Sequence, residues 1–442
     1  MLLLYSHTTT PRLRYIIDFF SRELFDEPVI ITNDKNEFRN SELPKVNYSD
    51  EEFSEIELFI RNVDILFETG IKLQNITCFE MNYNKAFFQT SGDFPFDIFA
   101  ASFFLLSRYE EYLPHKEDEY GRYDPSNSLA FKEGFLHLPL INIWMTEFKK
   151  ALHKKFPRLL FKRNQFKCIL TYDIDIAYSY LHKGLKRTIG GFVRSMIDRK
   201  WGIVNERWQV LLRKKNDPYD CYEWLDALHL YCRSKPCYFF LVAKKLTKYD
   251  RNTSTSDDSY KELIEYYASN YKVGIHPSWQ SGDDPRLLKE EIEWLTVVID
   301  KPAIHSRQHF LRLSLPKTYR QLIELKIAND YSMGYGSING FRASVASSFN
   351  WFDLENEQPT PLMIYPFCFM DANSLFEQNN SPQEAYTELM NFYTHTKNVN
   401  GMLITIWHNY LLGTDPQFAG WREMFELFMK ETVYWDAYND DA

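Results

Sequence analysis

The sequence predicts a mixed α/β protein, with a distorted (β/α)7-type, TIM-like barrel preceded by a smaller N-terminal domain of α/β or α+β type. Three observations support this prediction. From residue 166 onward, seven short apolar segments alternate with amphipathic helical segments, as in a parallel sheet covered by helices. Seven such repeats favour a barrel over a doubly wound sheet. Before residue 130 shorter strands and helices alternate, and a polar, turn-rich stretch separates the two parts.

The N-terminal domain is expected to span residues 1–130, followed by a bridging segment over 131–165. Its strands are predicted from the apolar runs "MLLLY", "EPVIIT" and "KAFFQT". Its helices are predicted from "PRLRYIIDFFSREL" and "DIFAASFFLLSRYEEYL", where apolar residues recur at helical spacing.

The barrel is expected to span residues 166–436. Its predicted strands are, in chain order, "FKCILTYD", "PCYFFLVA", "KVGIH", "AIHSRQ", "DYSMGY", "PLMIYPF" and "GMLITIW". Its predicted helices are "CYEWLDALHLYCRS", "DSYKELIEYYASNY", "PRLLKEEIEWLTVVI", "PKTYRQLIELKIA" and "PQEAYTELMNFYTHTK".

Composition excludes some classes of function. The 442 residues carry a formal net charge of -9, which argues against a nucleic-acid binder because phosphate neutralisation needs an excess of Lys and Arg. The six cysteines form no CxxC pair and are expected to be reduced, mostly buried thiols. The longest apolar stretch, residues 96–109, is too short to span a bilayer and is expected to be a buried helix. We therefore expect a soluble, cytoplasmic protein.

Two aspartates end the first predicted barrel strand, in "CILTYDID". Alternate residues of a strand share a face, so Asp173 and Asp175 are expected to point the same way, roughly 7 Å apart at Cα. Ionised carboxylates this close repel each other unless a cation lies between them or one of them keeps its proton. The alternative is a solvated strand end with an Asx turn.

Other predicted strands also end in polar residues. These residues are His276, His305, His309, Arg342, Asp371, His408 and Asn409. The carboxyl ends of parallel barrel strands share one face, where active sites lie. Each residue also has a structural interpretation: a turn former for Asp175, a cap before Pro277 for His276, a packed strand histidine for His305 or His309, a surface cation for Arg342 and a helix N-cap for Asp371.

Together these side chains suit metal-assisted hydrolysis of an amide or ester. Carboxylate and imidazole groups bind zinc, and also manganese, iron or cobalt. The metal lowers the pKa of a bound water, and a second carboxylate can take its proton. An arginine can keep that carboxylate ionised, and a histidine can protonate the leaving group.

The motifs resemble those of the polysaccharide deacetylase superfamily (NodB-homology, carbohydrate esterase family 4). "LTYDID" is similar to its first motif, "GIHPSW" to its second, "GFRAS" to its arginine motif and "LITIWHN" to its last. The resemblance covers about residues 166–430. The N-terminal part is similar to an accessory domain found ahead of a bacterial subgroup of these proteins.

The resemblance implies a role for each matching residue. Asp173 would be the catalytic base, with Arg342 as its partner, and His408 the general acid. Asp175 and His276 would bind the metal, which we expect to be zinc. The family's second motif carries another histidine four residues after the first, and Gln280 stands there instead. Gln280 with water could complete the shell; otherwise His309 would supply the third ligand, with His305 in reserve.

The resulting hypothesis is a metal-dependent deacetylase of an N- or O-acetylated sugar or glycoconjugate. Its expected substrate-binding residues are Trp279, Asp371 and Tyr178, with a backbone N–H near Tyr178 facing the oxyanion. One alternative is a hydrolase of a non-sugar C–N bond, such as a cyclic amide. Another is a degenerate glycan-binding member without catalysis, suggested by Gln280.

Residues 181–215 form a basic insertion after the first barrel strand, with ten Lys or Arg against two acids. Apolar residues recur in it at helical spacing: Ile189, Phe192, Val193, Met196 and Ile197, followed by Trp201 and Trp208. One interpretation is a helical lid whose apolar face packs over the barrel mouth. The other is a peripheral membrane contact that meets anionic lipid or a lipid-linked, phosphate-bearing glycan.

Overall fold

A parallel four-stranded sheet occupies the first part of the chain in the computed structural model, which describes residues 1–434. Its strands are β1 (Leu3–Tyr5), β2 (Ile30–Thr32), β3 (Lys45–Ser49) and β4 (Leu58–Arg61), in the order β2-β1-β3-β4. Helices α1 (Pro11–Leu24) and α2 (Lys35–Asn40) connect them. Thr10 caps α1 by accepting the Leu13 N–H, and Pro11 begins the helix, so its bounds agree with the prediction.

The rest of the region before the barrel holds a hairpin and three helices. They are β5 (Phe79–Met81), β6 (Asn84–Ala86), α3 (Ile98–Leu106), α4 (Leu129–Lys132) and α5 (Leu140–Lys155). Every residue of α3 is buried, as expected from its apolar sequence. No helix of residues 1–434 combines the length and the apolarity needed to cross a bilayer.

The second sheet has nine strands. They are β7 (Lys167–Ile174), β8 (Cys237–Leu241), β9 (Lys272–His276), β10 (His305–Ser306), β11 (Asn329–Asp330), β12 (Phe349–Asp353), β13 (Gln358–Ile364), β14 (Phe369–Met370) and β15 (Met402–His408). The helices of this part are α6 (Gly184–Ile197), α7 (Trp201–Leu211), α8 (Tyr222–Tyr231), α9 (Asp258–Asn270), α10 (Pro285–Ile299), α11 (Lys317–Glu324), α12 (Pro382–Asn398) and α13 (Trp421–Phe428).

The strand order is that of a barrel opened at one seam. It runs β12-β13-β11-β10-β9-β8-β7-β15-β14, with only β12 antiparallel to its neighbour. The eight parallel strands therefore follow the circular chain order of a β/α barrel. Strands β13 and β14 flank the seam and are separated in the chain by residues 365–368 alone. The mixed α/β class and the distorted barrel are confirmed, although β11 includes only the first residue of the predicted strand "DYSMGY" and β12 and β14 were not predicted.

Strand register brings the predicted polar ends to one edge. In the ladder between β15 and β7, His408 lies opposite Asp173, and in the ladder between β8 and β9, His276 lies opposite Leu241. Parallel pairing therefore gathers the carboxyl ends of β7, β9 and β15 at the same face of the barrel.

The expectations about the cysteines are met, whereas those about the domain limits are not tested by the structure. None of the six cysteines forms a disulfide, and four are buried, as expected. The predicted domain limits at residues 130 and 165 stay predictions, and residues 435–436 of the predicted barrel lie outside the described residues. One apolar cluster contains residues of α1 and α3 as well as β7 and β15, so the N-terminal part packs directly on the barrel.

Candidate active site

A cavity of about 170 Å³ opens at the carboxyl ends of the barrel strands. Predicted site residues line it, and they come from four different strand ends: Asp173, Asp175, His276, His309 and His408. Residues that were not predicted complete the lining, among them Tyr120, Arg122, Gln308, Phe310, Phe376, Glu377 and Tyr410. The cavity is the place where the polar strand ends converge.

Asp175, His276 and His309 form a compact cluster in this cavity. One ligand atom from each lies within 4.8 Å of the others. The His276 Nε2 is 3.1 Å and the His309 Nε2 is 3.7 Å from the Asp175 Oδ1. Asp173 lies beside them, with its Oδ2 3.9 Å from the His276 Nε2. The third ligand expected at this site is thus His309, which lies in a short 3-10 turn, His309–Leu311, that follows β10.

The Nδ1 atoms of His276 and His309 each lie within hydrogen-bond distance of an acceptor. His276 Nδ1 lies 2.5 Å from the Arg307 carbonyl oxygen, and His309 Nδ1 lies 3.1 Å from the Asp250 carboxylate. A carbonyl or a carboxylate only accepts, so Nδ1 carries the hydrogen in each ring. In the neutral imidazole, Nε2 is then left with a free lone pair directed at Asp175. Metal-binding histidines in proteins are oriented by the same kind of second interaction.

The carboxylates of this cluster have unused acceptor atoms. Asp173 Oδ1 and Asp175 Oδ1 are buried, and neither has a hydrogen-bond partner. Burial alone would raise the pKa of Asp175, but His309, His276 and His408 hold it well below its usual range. Buried acceptors without donors are costly unless a cation binds them. One carboxylate and two imidazole nitrogens fit a divalent transition metal such as zinc.

Arg307, and not Arg342, lies beside Asp173. The Arg307 Nη1 is 3.5 Å from the Asp173 Oδ2, and its Nη2 donates to the Thr171 hydroxyl at 2.8 Å. Arg307 is fully buried, and its guanidinium carbon lies 4.9 Å from the centre of the Phe239 ring. The predicted contact between Arg342 and Asp173 is therefore wrong.

Arg342 takes part in a different buried network. It donates to Glu111 from Nε at 2.8 Å and from Nη2 at 2.6 Å, and from Nη1 to the Gly334 carbonyl at 3.0 Å. Arg108 also pairs with Glu111, at 2.8 Å. The two bonds to Glu111 thus join the N-terminal part to the barrel, and the bond to Gly334 lies within the barrel.

Asp371 contacts His408 rather than the cavity. Its Oδ1 lies 2.6 Å from the His408 Nδ1, and its Oδ2 accepts the His408 backbone N–H at 2.7 Å. Burial alone would lower the pKa of His408, but the Asp371 carboxylate raises it to about 9. The His408 Nε2 lies 3.6 Å from the Asp175 Oδ2. Asp371 thus holds His408 in place and does not line the cavity, while its substrate-binding role stays a prediction.

Trp279 stands behind the cavity wall. Its ring stacks on Tyr249 at 4.0 Å and 18°, and the Arg312 guanidinium lies 4.2 Å from its ring centre. It also makes edge-to-face ring contacts with Tyr120 and Phe310, and these two residues line the cavity. Trp279 therefore supports lining residues and is not among them.

Tyr178 is also turned away from the site. Its ring packs on His182 and Tyr222, at 4.9 and 6.0 Å between ring centres. The backbone N–H groups on either side are engaged: Ala177 donates to the Asn252 side chain and Ser179 to Asp217. Tyr178 does not line the cavity, and its predicted substrate contact stays a prediction.

The two remaining candidates for the third ligand lie apart from the cluster. Gln280 is exposed at the start of a 3-10 turn, Gln280–Gly282. His305 packs 6.0 Å from the Tyr331 ring, and its burial lowers its pKa to about 4. Neither lines the cavity, whereas His309 does.

Part of the cavity wall comes from the chain before the barrel. Arg122 pairs with Asp118 at 2.6 Å and donates to the Phe310 carbonyl at 2.9 Å. It passes so close to Gly336 that a Cβ there would lie 1.9 Å from its Nη1. No local pattern predicted the contact with Phe310, because "EYGRYDPS" is typical of a polar linker and Phe310 lies 188 residues further along the chain.

Other unpredicted residues act through the histidines. Asp250, which orients His309, also accepts the Trp279 N–H at 2.9 Å, and it lies in a loop without regular structure. Arg307 could have been noticed, since it lies within the strand-end segment "AIHSRQHF", but the two histidines there were the stronger signal.

A larger cleft of about 1120 Å³ lies elsewhere, along the N-terminal sheet and residues 155–160. None of the predicted site residues lines it. Volume alone would favour this cleft, but the cluster of carboxylates and imidazoles makes the smaller cavity the candidate active site.

Comparisons with known proteins cover the two parts of the chain separately. Residues 2–157 match a family model described as "Family of unknown function (DUF7033)". The search of curated proteins gave no match.

Solved structures similar to the chain include three with hydrolase names. A protein assigned as a polysaccharide deacetylase from Mycobacterium smegmatis is 13% identical, with a TM-score of 0.40, over 62% of this chain and 85% of its own. Puue allantoinase is 10% identical, with a TM-score of 0.40, over 61% and 84%. The polysaccharide deacetylase Bc1974 from Bacillus cereus is 11% identical, with a TM-score of 0.31, over 61% and 88%.

At these identities and TM-scores the likeness carries no conclusion about activity, so any functional conclusion rests on the geometry of the cavity. The chain is similar, over about three fifths of its length, to solved structures that bear the name of the family its motifs resemble.

Proposed function

We propose that the protein is a metal-dependent hydrolase that removes acetyl groups from an N- or O-acetylated sugar or glycoconjugate, free or lipid-linked. The observation that carries the proposal is the cluster of Asp175, His276 and His309 with Asp173 beside it. A buried carboxylate next to a three-residue metal-ligand set is the arrangement that metal-assisted hydrolysis requires.

Asp175, His276 and His309 would hold the metal, with zinc as the expected ion. When bound, the metal supplies Lewis acidity, which polarises the acetyl carbonyl and lowers the pKa of a coordinated water. The hydrogen bonds from His276 to the Arg307 carbonyl and from His309 to Asp250 fix both rings with Nε2 toward the site.

Asp173 would act as the general base. Its Oδ1 is free of hydrogen bonds, and the guanidinium group of Arg307 lies at 3.5 Å from its Oδ2. A carboxylate oxygen without a donor is available to accept a proton from the attacking water.

His408, on the strand next to that of Asp173, would act as the general acid. Asp371 holds its Nδ1, so its Nε2 faces the cavity near Asp175. A protonated Nε2 can donate to the nitrogen or oxygen that leaves as the C–N or C–O bond breaks, and the products are acetate and the free amine or hydroxyl.

The cavity suits the acetylated end of a larger molecule. Its volume of about 170 Å³ is below the roughly 300–1,000 Å³ of sites that enclose a whole ligand. The aromatic side chains of Tyr120, Phe310, Phe376 and Tyr410 line it. Such rings offer apolar faces for a sugar ring at the mouth, while the acetyl group reaches the buried cluster.

The small volume also supports a second candidate, hydrolysis of a cyclic amide that fits the cavity entirely. A non-catalytic glycan-binding protein was suggested by Gln280, and that suggestion is weakened because His309 lies beside Asp175.

Acetate release from a panel of N- and O-acetylated sugars, free and lipid-linked, with cyclic amides alongside, tests the proposal. We expect turnover of an acetylated sugar by the zinc-loaded protein. The Asp173→Asn variant should keep its zinc and lose turnover. Ring opening of a cyclic amide without acetate release would support the second candidate, and no turnover of either class by zinc-loaded protein would contradict both.

A further inference from the structure

The basic insertion folds into a helical hairpin, made of α6 and α7, whose apolar side chains face solvent. The exposed fractions are 52% for Ile189, 74% for Ile197 and 62% for Trp201. The other exposed apolar residues of this hairpin surface are Leu185, Val193, Met196, Ile203, Trp208 and Leu212. A contiguous exposed set of this kind in a helical segment marks an interaction surface.

The inner side of the hairpin packs on residues 178–181 through a mixture of charged and apolar side chains. The Arg207 guanidinium lies 4.6 Å from the Tyr180 ring centre and 5.5 Å from that of Phe192. It packs against Gly191, where a Cβ would lie 2.5 Å from Arg207 Nη1. Glu206 accepts the Tyr180 hydroxyl at 3.1 Å. Val210 is buried on the same side, against Tyr180 and Leu181. The exposed residues Ile189, Ile197 and Trp201 are not part of this packing, so they do not pack over the barrel as a lid would.

Charge separates this segment from the rest of the chain. Residues 181–215 carry a net charge of +8, whereas the whole chain carries -9, which leaves -17 on the remaining residues. Lys186, Arg194, Arg199 and Lys214 are exposed on the hairpin, close in sequence to its apolar residues. An exposed apolar stripe bordered by Lys and Arg, with two tryptophans, is complementary to the headgroup region of an anionic bilayer.

Hydrogen bonds fix the hairpin to the loops that follow β7 and β8. Arg187 donates to the Asn252 and Arg251 carbonyls at 2.9 and 2.7 Å. The Asn252 side chain in turn donates to the Ile174 carbonyl at 2.9 Å, next to Asp173. Asp217 accepts the backbone N–H groups of residues 179–181. The hairpin is therefore anchored at the same barrel face as the cavity.

We propose that this hairpin surface docks the protein onto an anionic lipid surface. The aliphatic side chains and tryptophans would enter the interface between headgroups and acyl chains, and the flanking Lys and Arg would contact the phosphates. Such docking would bring the cavity mouth toward the lipid surface. It does not depend on the proposed hydrolysis, because it rests on the surface of α6 and α7 alone.

Cosedimentation of the full chain with vesicles tests the docking. We expect binding to phosphatidylglycerol-containing vesicles at low salt, weaker binding as salt rises, and little binding to phosphatidylcholine vesicles. Replacing Lys186, Arg194, Arg199 and Lys214 by Gln should weaken binding by roughly tenfold or more. Arg187 is left intact because it anchors the hairpin. The matched control replaces four exposed lysines elsewhere, Lys72, Lys116, Lys150 and Lys289, and should bind as wild type.

A second variant tests the apolar part. Ile189→Ser with Ile197→Ser should reduce vesicle binding while the far-UV circular dichroism stays that of wild type. Equal binding to neutral vesicles, no binding at low salt, or an equal loss in the control set would overturn the proposal. A dimer without lipid that this variant abolishes, together with unchanged vesicle binding, would assign the surface to a second copy instead.

Discussion

Arg342 and Glu111 form a bidentate ion pair between the barrel and the chain before it, with N–O distances of 2.8 and 2.6 Å. Both side chains are only 2% exposed. Burial alone would raise the pKa of Glu111, but Arg342 and Arg108 hold it at about 2. A carboxyl whose pKa is lowered on folding stabilises the fold above its ordinary pKa, and this stability is lost as the pH falls.

Glu111→Gln should therefore destabilise the protein in a pH-dependent way. At pH 7 we expect the free energy of unfolding to fall by roughly 3–5 kcal/mol, because two buried guanidinium groups lose their counter-charge. The difference from wild type should shrink as the pH falls from about 4.5, where Glu111 becomes protonated in the unfolded chain, to about 2, where it becomes protonated in the folded protein. Urea unfolding at a series of pH values measures this. Glu80→Gln, at an exposed ion pair, serves as the control, and a pH-independent difference would contradict the account.

Arg307, rather than Arg342, should be needed for turnover. Arg307→Met removes the guanidinium beside Asp173, and we expect kcat to fall by about 10²–10³-fold while zinc content stays at wild-type level. Arg342→Lys should lower stability and leave the kcat of folded protein near wild type, because its contacts are with Glu111 and Gly334. Steady-state kinetics with metal analysis decide this, and the reverse pattern would restore Arg342 as the partner of Asp173.

Asp250 should control metal affinity through His309. Asp250→Asn leaves a neutral acceptor at the His309 Nδ1, and we expect zinc to bind about 10–100-fold more weakly. Glu291→Gln is the matched control, since Glu291 accepts the Ser278 N–H in the same region but contacts no histidine. Competition with a zinc chelator gives both affinities. An equal loss of zinc affinity in the two variants would mean that the substitutions disturb the surrounding loop, and not the orientation of the His309 imidazole.

Asp371→Asn distinguishes a positioning role from a substrate contact. Because Asp371 holds His408, we expect kcat to fall by about 10²–10⁴-fold with KM and zinc content near wild type. A raised KM with unchanged kcat would instead support the substrate-binding role first assigned to Asp371.

The sequence predicted what local pattern determines. Helices α1 and α10 and strand β9 have the predicted bounds, because proline and polar caps mark the helix starts and Pro277 follows the strand. The strand-end residues Asp173, Asp175, His276 and His408 meet in one cavity, because parallel strands place their carboxyl ends together.

What the sequence left open depends on contacts between distant residues. The local sequence around Arg307 and Arg342 does not show which of the two lies beside Asp173. Only the fold shows that Arg342 pairs with Glu111, more than 200 residues away. Asp371 begins a helical turn and also accepts the His408 backbone N–H. The sequence pattern of a helix start is the same whether or not the aspartate has such a second partner. The orientation of the hairpin surface could not be predicted for the same reason. Helical spacing shows that the apolar residues share one face of a helix, but not whether that face packs on the barrel or meets solvent.

Zinc titration into the metal-free full chain tests the central claim most directly. We expect one site per chain in wild type, at least tenfold weaker binding in His309→Ala, and wild-type affinity in Gln280→Ala, because His309 and not Gln280 lies beside Asp175. The absence of stoichiometric binding by folded wild-type protein, or a loss of affinity in Gln280→Ala but not in His309→Ala, would contradict the account.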